Sequence, residues 1–146
     1  MENDLTPVHI LLVEDNPQDV EITRRALEKG QVKNRLTVAR DGQEALDILD
    51  AIKGDDPPSL ILLDLNMPRL NGIEVLQVIK ADPNLRRIPV IVLTTSTREE
   101  DVVRAYDLGV NTFISKPVRF EDFMRVVMTI QEYWILIATL PSAARV

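Results

Sequence analysis

The chain has 146 residues, 45% of them hydrophobic and 27% charged, enough for one domain with a complete core and little more. A formal net charge of −6 argues for no nucleic acid and no membrane surface as partner, since both favour a basic face. Without cysteine there is no disulfide framework, thiolate nucleophile or cysteine-ligated zinc, a composition that fits a cytoplasmic protein.

Residues 1–7 read as a tail, with neither the basic region nor the apolar stretch of a secretory signal. The run Ile10-Leu-Leu-Val13 predicts a buried strand that ends in Glu14-Asp15. Asn16 as cap and Pro17 in the first turn open a helix with Val20, Thr23 and Leu27 facing in, and Gly30 stops it. A strand over 36–39 leads to a helix from Asp41, where Glu44 completes a capping-box pattern and Leu46, Leu49 and Ile52 face in. After a polar loop, 55–59, the third strand Leu60-Ile-Leu-Leu63 ends at Asp64. A loop follows through Asn66, Met67, Pro68 and Asn71-Gly72. The next helix, 72–80, turns Ile73, Leu76 and Ile79 inward. A strand over 90–93 ends at Thr94, and Ser96 with Glu99 caps a helix over 98–108 that Gly109 closes. The fifth strand, 112–115, ends at Lys116-Pro117. The last helix starts near Phe120 and runs at least to Trp134, with Phe120, Phe123, Val127, Ile130 and Trp134 as its inward stripe. Thr129, Gln131 and Glu132 interrupt the apolar stretch 126–140, which falls short of the ~20 residues that span a bilayer.

Strand and helix alternate five times, which implies a parallel sheet with helices on both faces. Such sheets do their chemistry at the carboxyl ends of the strands, and Glu14, Asp15, Asp64, Thr94 and Lys116 all stand there. Three carboxylates at short range oppose each other's ionisation unless a cation compensates. Mg2+ is the hard ion that best fits carboxylate oxygens and a few waters. With Lys116 as a fixed positive charge and the Thr94 hydroxyl as a donor, the set suits phosphoryl transfer to Asp64. Singly, each piece has a plain structural reading: a solvated loop and helix cap at Glu14-Asp15, a turn at Asp64, a turn at Lys116-Pro117. It is their joint placement, at the same end of four strands, that points to a site.

These residues resemble the receiver domain of two-component response regulators over roughly 8–134, in the order Val-Glu14-Asp15-Asn, Leu-Leu-Asp64-Leu-Asn-Met-Pro, Leu-Thr94-Thr and Ser-Lys116-Pro117. The resemblance implies a flavodoxin-like sheet with strand order 2-1-3-4-5, flanked by an N-terminal tail (1–7) and a C-terminal extension (135–146). It implies a 4-aspartylphosphate on Asp64, accepted from a sensor histidine kinase. Mg2+ would be held by Glu14, Asp15, Asp64 and the Asn66 backbone carbonyl, with Thr94 and Lys116 on the phosphoryl oxygens. A switch would pair Thr94 with the strand-5 aromatic, here Phe113, which has no phenol and must act by packing. The Lys116-Pro117 bond is expected to be cis. No enzyme activity is expected beyond self-catalysed phosphoryl transfer and autodephosphorylation.

Among receivers the likeness is greatest to the stand-alone regulators of cyanobacterial phytochromes and bacteriophytochromes. It is carried by Val38-Ala-Arg-Asp-Gly42, Val92-Leu-Thr-Thr-Ser96, the helix from Asp101 to Leu108 and Tyr133-Trp134. That likeness implies a phytochrome-type kinase and a homodimer on the last helix, through Tyr133, Trp134 and Ile137. Val126, Met128, Tyr133, Ile135, Leu136 and Ile137 are apolar and lie off the inward stripe, so they call for cover by a second copy or by the tail folding back over its own domain. The length leaves no room for an output domain, so signalling is expected to run by protein contacts. One alternative is a phosphotransfer intermediate in a multistep relay. Another is a Mg-dependent phosphohydrolase of the haloacid-dehalogenase type, but Asn66 stands where that chemistry needs a second Asp. A flavodoxin-like flavin binder would have its phosphate repelled by Glu14-Asp15. His9 reads as structural.

Overall fold

The computed structural model describes residues 8–30, 33–52, 57–67, 70–95 and 98–137, of which 135–137 by backbone alone. Five strands, β1 (Val8–Val13), β2 (Asn34–Ala39), β3 (Leu60–Leu63), β4 (Val90–Thr94) and β5 (Thr112–Ser115), alternate with five helices. These are α1 (Pro17–Lys29), α2 (Gly42–Ile52), α3 (Gly72–Ala81), α4 (Glu99–Asp107) and α5 (Phe120–Ile130). All strand pairs are parallel, in the order β2-β1-β3-β4-β5. The flavodoxin-like order is the expected one.

Side chains of successive strand residues point to opposite faces, and the three central strands are apolar on both. Ile10, Leu12, Leu60, Leu62, Ile91 and Leu93 enter a core shared with Val20 and Leu27 of α1 and Phe123 and Val127 of α5. Leu11, Val13, Ile61, Leu63, Val90 and Val92 enter the opposite core, under α2, α3 and α4. Asn16 caps α1 by accepting from the amides of Gln18 and Asp19, at 2.8 and 3.3 Å. The Glu44 amide donates to Asp41 Oδ1 and its carboxylate accepts from the Arg40 amide, one residue before a true capping box would end. Asn71 and Glu74 form a complete box at α3. Gly109, at φ +101°, ends α4 in a conformation that other residues rarely adopt.

Several expectations need correction. Leu46 and Ile52 of α2 are only half-buried; Leu49 alone of its predicted stripe is fully covered. The start of α4 has Arg98 as its N-cap residue, with no side-chain cap bond; Ser96 and Pro68 lie outside the described residues, as do residues 55 and 56 of the expected loop 55–59. On α5, Phe120 is half exposed because the helix opens there, directly after the exposed Val118 and Arg119. Met124, one turn further in, is buried in its stead. Val126 and Met128 pack against the α1/α5 core and are half-buried, so they do not lie wholly off the inward stripe. Beyond Ile130 the helix continues with π winding over Gln131–Ile137. The wider turn begins at Gln131, whose buried side chain donates to the Leu27 carbonyl on α1. No cis peptide bond occurs among the described residues, so Lys116-Pro117 is trans. An X–Pro bond prefers trans by only about 0.5–1 kcal/mol, so the sequence by itself leaves the isomer open.

Candidate phosphoacceptor site

Two strand ends build the acidic rim. β1 delivers Glu14, whose amide bonds the Ala39 carbonyl of β2 at 2.9 Å; Asp15 follows it into the loop. β3 delivers Asp64, whose amide bonds the Val13 carbonyl at 3.0 Å. Register alone therefore sets the two strand ends side by side. Ligand oxygens of Glu14, Asp15 and Asp64 all lie within 4.8 Å of one another. Glu14 and Asp64 are buried, at 3% and 5% exposure, while Asp15 faces solvent. The rim is thus closed underneath and open on one side, where an ion and a phosphoryl donor can enter.

Lys116 reaches this pocket from the end of β5. Its amide is anchored on the Thr94 carbonyl at 2.7 Å. Its Nζ donates to Glu14 Oε1 at 2.7 Å, to Asp19 Oδ2 at 2.9 Å and lies 3.4 Å from Asp64 Oδ2. Burial would by itself lower the Lys116 pKa, but the hydrogen bonds to Glu14 and Asp19 outweigh it and hold the ammonium above the usual lysine range. Burial pushes the Glu14 carboxyl up to about 7; the Lys116 hydrogen bond opposes this and the Asp64 charge adds to it. A pocket in which a carboxylate is driven towards its neutral form is short of positive charge. A divalent cation on the carboxylate oxygens supplies what Lys116 alone does not, so the residues fit such an ion.

Asp64 Oδ1 accepts from the Asn66 amide at 3.2 Å, which brings the Asn66 backbone to the rim. The Asn66 side chain reaches Thr95 Oγ1 across the mouth at 3.3 Å. Thr94 is fully buried at the end of β4. By strand alternation it shares the α2–α4 face with Val90 and Val92, and Phe113, paired with Val92, packs half-buried on that same core. Thr94 and Phe113 are therefore diagonal neighbours on one face. His9 is buried and bonds Thr37 Oγ1 at 2.9 Å, a structural role as expected. Asp19 escaped sequence reasoning; its only signal was an acidic residue in the first turn of the helix that rises from the same rim. Of the residues assigned to an interface, Tyr133 is 53% exposed, Trp134 is half-buried against the core, and the Ile137 side chain lies outside the described residues.

Residues 10–128 match the family model of the response regulator receiver domain. Response regulator Rcp1 of Synechocystis sp. is 41% identical over 140 residues, which span 94% of this chain and 95% of that protein. The crystal structure of its Mn2+-bound form superposes with a TM-score of 0.88, over 93% of this chain and 100% of that one. The phosphorylated cyanobacterial phytochrome response regulator RcpA is 43% identical at a TM-score of 0.90, covering 94% and 100% of the two chains. The bacteriophytochrome response regulator AtBRR is 46% identical at a TM-score of 0.69, covering 94% and 99%.

Proposed function

The chain belongs to the response regulator receiver family, and from that membership we propose that it accepts a phosphoryl group on Asp64 from a phytochrome-type histidine kinase in the cytoplasm and signals by protein contacts. The observation that carries this reading is the Lys116 ammonium, held among Glu14, Asp19 and Asp64 beside an open acidic rim. An Asp64 oxygen forms the new bond to phosphorus while the donor's P–N bond breaks and the imidazole leaves. Lys116, already 3.4 Å from Asp64 Oδ2, then has a phosphoryl oxygen to neutralise. The Thr94 hydroxyl donates to another. Glu14, Asp15, Asp64 and the Asn66 carbonyl would hold Mg2+, which supplies charge neutralisation for the transferring group. The Mn2+-bound form of Rcp1 supports a divalent ion as a ligand of this chain. The phytochrome-type partner is supported by the likeness to RcpA and AtBRR.

Switching follows from charge. A new dianion at Asp64 gains the Thr94 hydrogen bond when Thr94 moves inward, and the space it vacates admits the Phe113 ring. Acetyl phosphate with Mg2+ should add one phosphoryl group to the wild-type chain, read as a mass shift, and none to Asp64→Asn. Undiminished labelling of that variant removes Asp64 from the role.

A further inference from the structure

Tyr106 lies in the last turn of α4 with about half of its surface exposed, yet its hydroxyl has a specific partner. It accepts a hydrogen bond from the backbone N–H of Phe113 at 3.1 Å. β5 is the outer strand of the sheet, so among the described residues one of its edges has no neighbouring strand. Along a strand in a parallel ladder, alternate residues turn their backbone groups to opposite sides. Lys116 gives its N–H to the Thr94 carbonyl on β4. Phe113, three residues earlier, therefore turns its N–H outward to the open edge, where the Tyr106 phenol covers it.

The same contact ties the end of α4 to β5. Ala105 is the one fully buried residue of α4, and the helix starts without a side-chain cap. Its last turn and Phe113 pack on the same core, below Thr94's face of the sheet. We propose that Tyr106 is a positioning residue whose hydrogen bond to the Phe113 amide makes the end of α4 follow β5 when Asp64 is phosphorylated. The inference rests on the Thr94–Phe113 response proposed above. The phenol that the strand-5 aromatic lacks is supplied from α4, and it holds that residue's backbone in place of its ring.

Tyr106→Phe keeps the ring and removes the hydroxyl. Amide hydrogen exchange over residues 99–107 is compared with and without beryllofluoride and Mg2+, in wild type and variant, alongside labelling by acetyl phosphate. Wild type should change its exchange across α4 on beryllofluoride binding. The variant should be labelled at the wild-type rate and lose most of that change. A purely structural role would raise exchange equally in both states and leave the change intact, and that result overturns the proposal. An α4 that does not respond in wild type saturated with beryllofluoride overturns the Thr94–Phe113 reading, and this inference falls with it.

Discussion

Lys116 and Asp15 sit on the same rim and do opposite work. The buried ammonium is committed to Glu14 and Asp19, and removing any one partner of such a set leaves uncompensated charge inside the protein. Asp15 is exposed and lends its charge to the rim from the solvent side. Asp15→Asn is therefore expected to leave the fold intact, with an unchanged circular dichroism spectrum, while Mg2+ affinity falls about tenfold or more, roughly 1.4 kcal/mol. Titration calorimetry checks this, and an unaltered isotherm takes Asp15 out of the site. The position of Glu14, Asp15, Asp64, Thr94 and Lys116 at strand ends was legible in the sequence because the run before each marks its strand. Asp19 was not. A first-turn acid has an ordinary reason to exist, the positive end of the helix, and nothing in the pattern says that its side chain crosses to a lysine 97 residues away.

The joint between α1 and α5 is closely fitted. The Leu27 carbonyl at the end of α1 accepts from the Gly30 amide at 3.3 Å, from Asn34 Nδ2 at 3.1 Å and from Gln131 Nε2 at 3.2 Å. Gln131 is 2% exposed, and a methyl group on Gly30 would overlap its side-chain amide. Gly30→Ala should therefore cost about 1–3 kcal/mol in urea unfolding, because the displaced amide loses its buried bond to the Leu27 carbonyl. Combined with Gln131→Ala the cost should be less than the sum of the two singles. Strict additivity would show that the two residues do not compete for space. The inward stripes of α1 and α3 were legible from their period, since each helix lies flat on the sheet with one covered face. The π winding from Gln131 was not, for Gln-Glu-Tyr-Trp-Ile-Leu-Ile suits an α-helix equally well and only the tertiary bond to Leu27 marks the change.

Across the whole molecule, alternating elements dictated a parallel sheet, but the strand order came from the family resemblance, because periodicity cannot say which strands are neighbours. Along β5 and α5 runs a groove lined by Thr112, Ile114, Val126, Ile130, Tyr133 and Trp134, at the open edge of the sheet. Tyr133 and Trp134 meet edge to face, with ring centres 5.4 Å apart, which stiffens the rim of that groove. Because Val126 and Met128 already pack on the core, the surface left for a partner is narrower than the sequence suggests and centres on Tyr133. Each large side chain newly buried there is worth roughly 1.5–3 kcal/mol before ordering costs, so a few from each copy suffice for association. A homodimer through this groove is the expected state of the unphosphorylated protein at micromolar concentration, read as mass by light scattering. Tyr133→Lys should dissociate it without harm to the fold, since that side chain is half exposed. Trp134→Ala or removal of residues 135–146 should do the same; Trp134 packs on the core, so its loss should also lower stability. A wild-type chain that stays monomeric over that range leaves the groove to another partner and refutes the dimer.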